Sequence, residues 1–171
     1  KTRFCRAAAG FARAAGRQVG GLTSPSVFEG QDKTGIQVES LFSSEVRPLA
    51  AKQAQPSFNQ VLGEWYFNPQ ALAWGNAVLI NALAMSGNQK QLDLLVVDEI
   101  GPLELLHGGG WTAALSLLNS PSYHVGLVVI RPELVEIARR QLPVLQGIIT
   151  LTSAMNPEVE ARTWWETLSR D

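Results

Sequence analysis

The sequence predicts an α/β fold: a mostly parallel sheet covered by helices, with a β-rich insertion in its first half. Three observations carry this. LDLLVVDEI (92–100) and HVGLVVI (124–130) are near-continuous apolar runs of strand length, the pattern of strands buried on both faces. Segments of helical spacing alternate with them, as in a layered α/β domain. The rhythm changes at residue 69; before it, short alternating segments separated by turn residues indicate hairpins.

RFCRAAAGFARAA (3–15) is rich in the best helix formers and is predicted to stop at Gly16. RQVGGLTS (17–24) reads as a short strand leading into the turn-rich stretch 25–35. GIQVESL (35–41) alternates as a half-exposed strand, and EWYFN (64–68) is another candidate. Residues 43–62, with weak periodicity and two prolines, read as loop. PQALAWGNAVLINALAMSG (69–87) has helical spacing, with Pro69 acceptable in the first turn and Gly87 at the end. After the strand at 92–100 a helix is expected near 110–119, then the strand 124–130, a helix over 132–142 and a last strand, GIITLTS (147–153). PEVEARTWWETLSR (157–170) closes the chain as a helix. No repeat or interdomain linker interrupts residues 1–171, so a single domain with an insertion at about 20–68 is expected.

At 171 residues, 46% hydrophobic and 17% charged, the chain can bury a substantial core. Fourteen Lys and Arg against 15 Asp and Glu leave no basic excess, which argues against a general nucleic-acid surface. Cys5 is the single cysteine, so no internal disulfide forms; a cytoplasmic location is expected. No window approaches the roughly 18 apolar residues of a membrane span. The Ala-rich start between arginines could pass for a targeting segment, but the helix reading uses the same residues better. Two histidines and one cysteine offer no zinc constellation.

The apolar run 94–97 is followed by Asp98 and Glu99. In an open parallel sheet, ligands bind beyond the carboxyl ends of the strands. A carboxylate there suits Mg²⁺, a hard cation, and a second one beside it can orient or deprotonate an attacking water. A pair of solvated surface acids is the alternative. Lys1 and Thr2 directly precede a predicted helix, as do the last two residues of a Walker A loop, GxxxxGK[ST]. In that motif the Lys reaches phosphates and the hydroxyl ligates Mg²⁺.

DEIGPLEL (98–105) resembles the Walker B signature of the THEP1-type nucleoside-triphosphatases, close to D-E-I-G-x-M-E-L, with Leu103 where Met is usual. VGGLTSPSV (19–27) with TGIQVESL, LAA (49–51) with WYF (65–67), and TSAMNPEVEA (152–161) resemble further parts of that family. The resemblance implies a P-loop NTPase three-layer sandwich that hydrolyses ATP, GTP or other nucleoside triphosphates with Mg²⁺. It implies that Lys1 holds phosphates, Thr2 and Asp98 serve the metal, and Glu99 is the catalytic base. Glu104 belongs to the same motif and could anchor the following loop. Where the family carries arginines after its second strand, this chain has Phe28 and Thr34, with Lys33 as the nearest cation.

Because the chain opens at Lys1, it is expected to lack the first strand and most of the P-loop, as part of a protein of about 180 to 190 residues. On that expectation the 171 residues alone turn over little nucleotide. Arg131, after the strand 124–130, could stabilise charge on the γ-phosphate or make a surface ion pair. Asn156 could contact the base or cap the last helix. His107 and the glycines 108–110 could form a lid or only a loop. Trp164 and Trp165 are expected to pack on the sheet, and Arg139 and Arg140 to complement a helix dipole. The nucleoside triphosphate is the expected partner; a nucleotide or nucleoside kinase, a slow nucleotide switch and an inactive relative are the competing functions.

Overall fold

The computed structural model describes residues 1–86, 91–120, 123–142 and 146–168. Helix α1 (Thr2–Ala14) leads into β1 (Val19–Thr23), followed by β2 (Ser26–Glu29), β3 (Asp32–Ser40), β4 (Val46–Ala51), β5 (Gln60–Leu62) and β6 (Trp65–Phe67). Then come α2 (Pro69–Ser86), β7 (Leu92–Ile100), α3 (Pro102–His107), α4 (Thr112–Leu118), β8 (Tyr123–Ile130), α5 (Val135–Gln141) after one 3-10 turn, and α6 (Pro157–Leu168). The strands form one sheet, ordered β5-β6-β4-β3-β1-β7-β8, with β2 paired to β3.

The predicted α/β class is the observed one. β1, β7 and β8 run parallel, and every pairing that involves a strand between residues 26 and 67 is antiparallel. The β-rich insertion is therefore a meander grown from one edge of a parallel core. Its strands were only partly legible. β4 contains Pro48, which lacks an N–H for the ladder. Pro48 sits opposite Gln37 beside a register shift in β3, and the Gln37 N–H bonds instead to the Pro25 carbonyl at 2.8 Å. β2 and the start of β3 form a hairpin turning at Gly30, where a turn-rich stretch was expected.

Two helical layers sandwich the sheet. On one face α1 and α6 cover Leu94 and Val96 of β7 together with Val125, Leu127 and Val129 of β8. On the other, α2 and α4 cover Leu22, Leu95, Val97 and Ile100. α1 approaches with small side chains, Cys5, Ala9 and Ala12, all fully buried. Trp164 and Trp165 pack on this face as expected, and the Trp164 ring lies 5.9 Å from that of Phe4. Gly21 makes close strand contact possible: its φ is +114°, and a Cβ there would come within 1.9 Å of the Val96 carbonyl oxygen.

α2 begins where Asn68 accepts the Gln70 N–H at 3.0 Å, a side-chain cap just ahead of Pro69. Its expected stop, Gly87, and the last residues of the 157–170 helix lie outside the described residues. One expectation fails: residues 147–153 form no strand. Among the described residues the run joins no ladder: β8, at the edge of the sheet, pairs with β7 alone. Leu151 joins the cluster of Phe4, Ala8 and Ala161, while Ile148 and Ile149 remain exposed.

Candidate functional site

Asp98 and Glu99 stand at the carboxyl end of β7, where the ladder to β8 slips: Val97 pairs with Val128, but Ile100 pairs with Ile130. Three steps on β7 thus face two on β8, a one-residue bulge. Its effect on side-chain direction is visible. Leu94 and Val96 point to α1 and Leu95 and Val97 to α2, so simple alternation would send Ile100 to α1. Ile100 instead joins the α2 face. Asp98 keeps the α1 side and Glu99 absorbs the extra residue, with φ at +85°. A non-glycine residue held there costs about 1–3 kcal/mol, strain of the kind that collects at functional sites.

Asp98 is 3% exposed. Its carboxylate accepts a hydrogen bond at 3.0 Å from the backbone N–H of Ser24, and the Thr2 hydroxyl beside it donates to the Ser24 carbonyl at 3.5 Å. The Ser24 hydroxyl donates to the Asp98 carbonyl at 3.1 Å, so one residue grips both ends of Asp98. Burial raises the Asp98 carboxyl above its ordinary value of 3.8, although the neighbouring Thr2 hydroxyl and the Ser24 N–H act in the opposite direction. A buried carboxylate in that condition gains from a cation. Thr2 and Asp98 offer the hard oxygen atoms Mg²⁺ prefers, and among the described residues no cluster of three or more His, Cys, Asp or Glu competes for a metal. Few protein ligands are what Mg²⁺ uses when phosphate and water complete its shell. The residues present fit that ion.

Thr2 opens α1, and Lys1 is its N-cap without a side-chain cap bond; no acidic residue occupies the first turn. The first N–H groups of α1 therefore remain available to an anion beside Asp98. Lys1 also borders a small cavity of about 230 Å³ lined by Thr152, Ser153 and Met155.

Glu99 lies outward. Arg131, at the end of β8, donates to it from both Nε at 3.0 Å and Nη2 at 2.8 Å. The sequence placed Arg131 at this edge; its pairing with Glu99 rather than open space is what the structure adds. Asn156 caps α6, its Oδ1 accepting the Glu158 N–H at 3.0 Å. Glu104 is buried, and its carboxylate accepts N–H bonds from Gly101 at 2.8 Å and Trp111 at 2.7 Å. Burial raises its pKa, those backbone bonds opposing the shift. It ties the glycine loop 108–110 to the end of β7. Asn76 fastens the same loop, donating to the Gly110 carbonyl at 2.8 Å and accepting the Ala113 N–H at 2.9 Å. The far end of the expected lid is anchored.

Sequence reasoning missed Ser24, Asn76 and a polar group on the α1 face, where Glu39 accepts from the Thr23 hydroxyl at 3.0 Å and pairs with Arg6 at 3.2 Å. TSPSV (23–27) could have flagged Ser24, since it closes the strand beside the carboxylates. Phe28 and Lys33 face each other on the β2–β3 hairpin; Phe28 is exposed and the Lys33 ammonium sits 5.0 Å from the Trp65 ring centroid. Among the described residues no helix is long and apolar enough to cross a membrane.

Two solved structures share this architecture. The solution structure of a human cancer-related nucleoside triphosphatase is 19% identical, with a TM-score of 0.65 over 99% of this chain and 92% of that one. The crystal structure of THEP1 from the hyperthermophile Aquifex aeolicus is 17% identical, with a TM-score of 0.58 over 81% of this chain and 77% of that one. A comparison with curated proteins finds no match. At these identities the structures speak for the fold, a P-loop NTPase fold. Membership rests on sequence: a family model described as NTPase matches residues 1–151, and the chain belongs to this family of THEP1-type nucleoside-triphosphatases.

Proposed function

We propose that the protein hydrolyses nucleoside triphosphates to the diphosphate and phosphate in a Mg²⁺-dependent reaction. The carrying observation is the start of α1 standing against the end of the central strand: Ser24 donates its N–H to the buried Asp98 carboxylate and accepts the Thr2 hydroxyl on its carbonyl. Lys1 and the first N–H groups of α1 hold phosphate oxygens. Thr2 and Asp98 hold Mg²⁺, which when bound supplies charge neutralisation on the phosphate oxygens. Glu99 orients the attacking water and accepts its proton. The base and ribose of the nucleotide use the cavity beside Lys1, with Asn156 at its helix end.

Hydrolysis rather than another use of the nucleotide follows from the family and from a carboxylate at the strand end. One observation favours phosphoryl transfer to a second substrate. The insertion holds an open cleft of about 610 Å³ between β2, β3 and β4, bordered by Glu29, Lys33, Gln37 and Lys52, large enough for an acceptor. A cytoplasmic setting belongs to the same proposal, supported by the free, buried Cys5.

The test is phosphate release from ATP and GTP by the complete protein, with Mg²⁺ and after its chelation. The expected result is turnover that needs the metal and falls by about 100-fold or more in Glu99→Gln, with nucleotide binding kept. Metal-independent turnover, or loss of binding in Glu99→Gln, would contradict the assignment. A phosphorylated nucleoside appearing in place of free phosphate would establish the kinase reading.

A further inference from the structure

Arg131 and Glu99 form an ion pair whose geometry is unusual in one respect. A guanidinium that meets a carboxylate commonly spreads two N–H groups over its two oxygens. Here Nε and Nη2 both donate to the same oxygen, Oε1, at 3.0 and 2.8 Å. Among the described residues, Oε2 of Glu99 accepts no hydrogen bond. The pair therefore fixes the carboxylate by one oxygen and leaves the other presented.

Both partners are held from behind. Glu99 occupies the bulge in β7 with φ at +85°, which separates its direction from that of Asp98. Arg131 precedes Pro132, a position confined to extended backbone, and has φ −74° and ψ 144°. Its carbonyl accepts the Leu134 N–H at 2.9 Å, so the base of the long side chain is a rigid post. The side chains themselves are 49% and 40% exposed. A pair so exposed to water contributes little to stability, and its consequence is orientation.

We propose that Arg131 is a positioning residue for Glu99: by taking Oε1 with two N–H groups it aims Oε2 at the attacking water. This inference rests on the reading of Glu99 as the base given above. It differs from direct contact between Arg131 and the terminal phosphate, in which Arg131 would act without Glu99.

A double-mutant cycle on the complete protein, with Mg·ATP as the probe, separates the possibilities. Arg131→Ala is expected to lower kcat about 10- to 100-fold, the cost of a misplaced reacting group, with KM changed less than about twofold. Once Glu99→Gln has removed the base, adding Arg131→Ala is expected to change kcat by less than about twofold, because the two residues act as a unit. Circular dichroism confirms folding, and Arg131→Gln replaces the alanine variant if that one does not fold. Losses that multiply in the double variant, or a KM raised tenfold or more, overturn the inference in favour of phosphate contact. Wild-type kcat in Arg131→Ala with an inactive Glu99→Gln overturns it while the base assignment stands. A fully active Glu99→Gln overturns both.

Discussion

On one face of the parallel strands lies α1, which brings Cys5, Ala9 and Ala12 against Leu94 and Val96. On the opposite face α2 and α4 bring Leu72, Leu79, Trp111 and Leu117 against Leu22, Leu95, Val97 and Ile100. The contrast is between close approach and volume. Small side chains let α1 lie near the sheet, so that its first turn meets the strand end and the Thr2 hydroxyl reaches the Ser24 carbonyl beside Asp98. Large side chains on the other face fill the space under two helices and supply most of the apolar burial. The site face carries polar groups and backbone strain at its end; the other face carries bulk.

The comparison predicts opposite sensitivities. Leu95, fully buried on the bulky face, is the largest expected loss: Leu95→Ala should destabilise by about 2–5 kcal/mol in urea denaturation, through lost burial and the cavity left behind. A much smaller change would mean that α2 and α4 collapse into the gap. Ala9 tests the close face in the reverse sense. Ala9→Leu should cost about 1–3 kcal/mol by overpacking, and should also weaken Mg·ATP binding as α1 is pushed from Asp98. Stability lost without a change in binding would show that the helix start moves independently of its middle.

The smallest expected effect has the opposite sign. Burial holds the Asp98 carboxyl above its unfolded value of 3.8. The folded state therefore binds the proton more tightly than the unfolded chain does. This group's contribution to metal-free stability is present below the unfolded value and is lost as pH rises through the raised folded value. Asp98→Asn should remove that dependence and raise the neutral-pH Tm of the metal-free protein, while abolishing Mg²⁺-dependent hydrolysis. A Tm that falls would mean that the Ser24 N–H and the neighbouring Thr2 hydroxyl stabilise the ionised carboxylate more than burial opposes it.

Much of the site was readable before the fold. A carboxylate pair after four buried apolar residues marks the end of a central strand, whereas the short helix α3 directly after it was not expected. Lys1 and Thr2 could be placed at the start of a helix because the residues after them are alanine-rich. Glu104 as a loop anchor was foreseeable from its motif, and its two short N–H bonds bear this out. By contrast, β4 was hidden by Pro48, whose missing N–H the register shift in β3 accommodates. The run 147–153 looked like a strand because local pattern carries no information about whether a segment docks on a sheet edge.

By itself, the sequence determined the alternation of apolar strands and helices, the carboxylates at a strand end and the family to which these motifs belong. These depend on periodicity and on residues adjacent in the chain. Tertiary structure alone decided the bulge that turns Asp98 inward and Glu99 outward, the grip of Ser24 on Asp98 and the single-oxygen pairing of Arg131 with Glu99. Each joins residues on different strands, and the ladder register and helix approach that set their distances arise only when the whole sheet is packed.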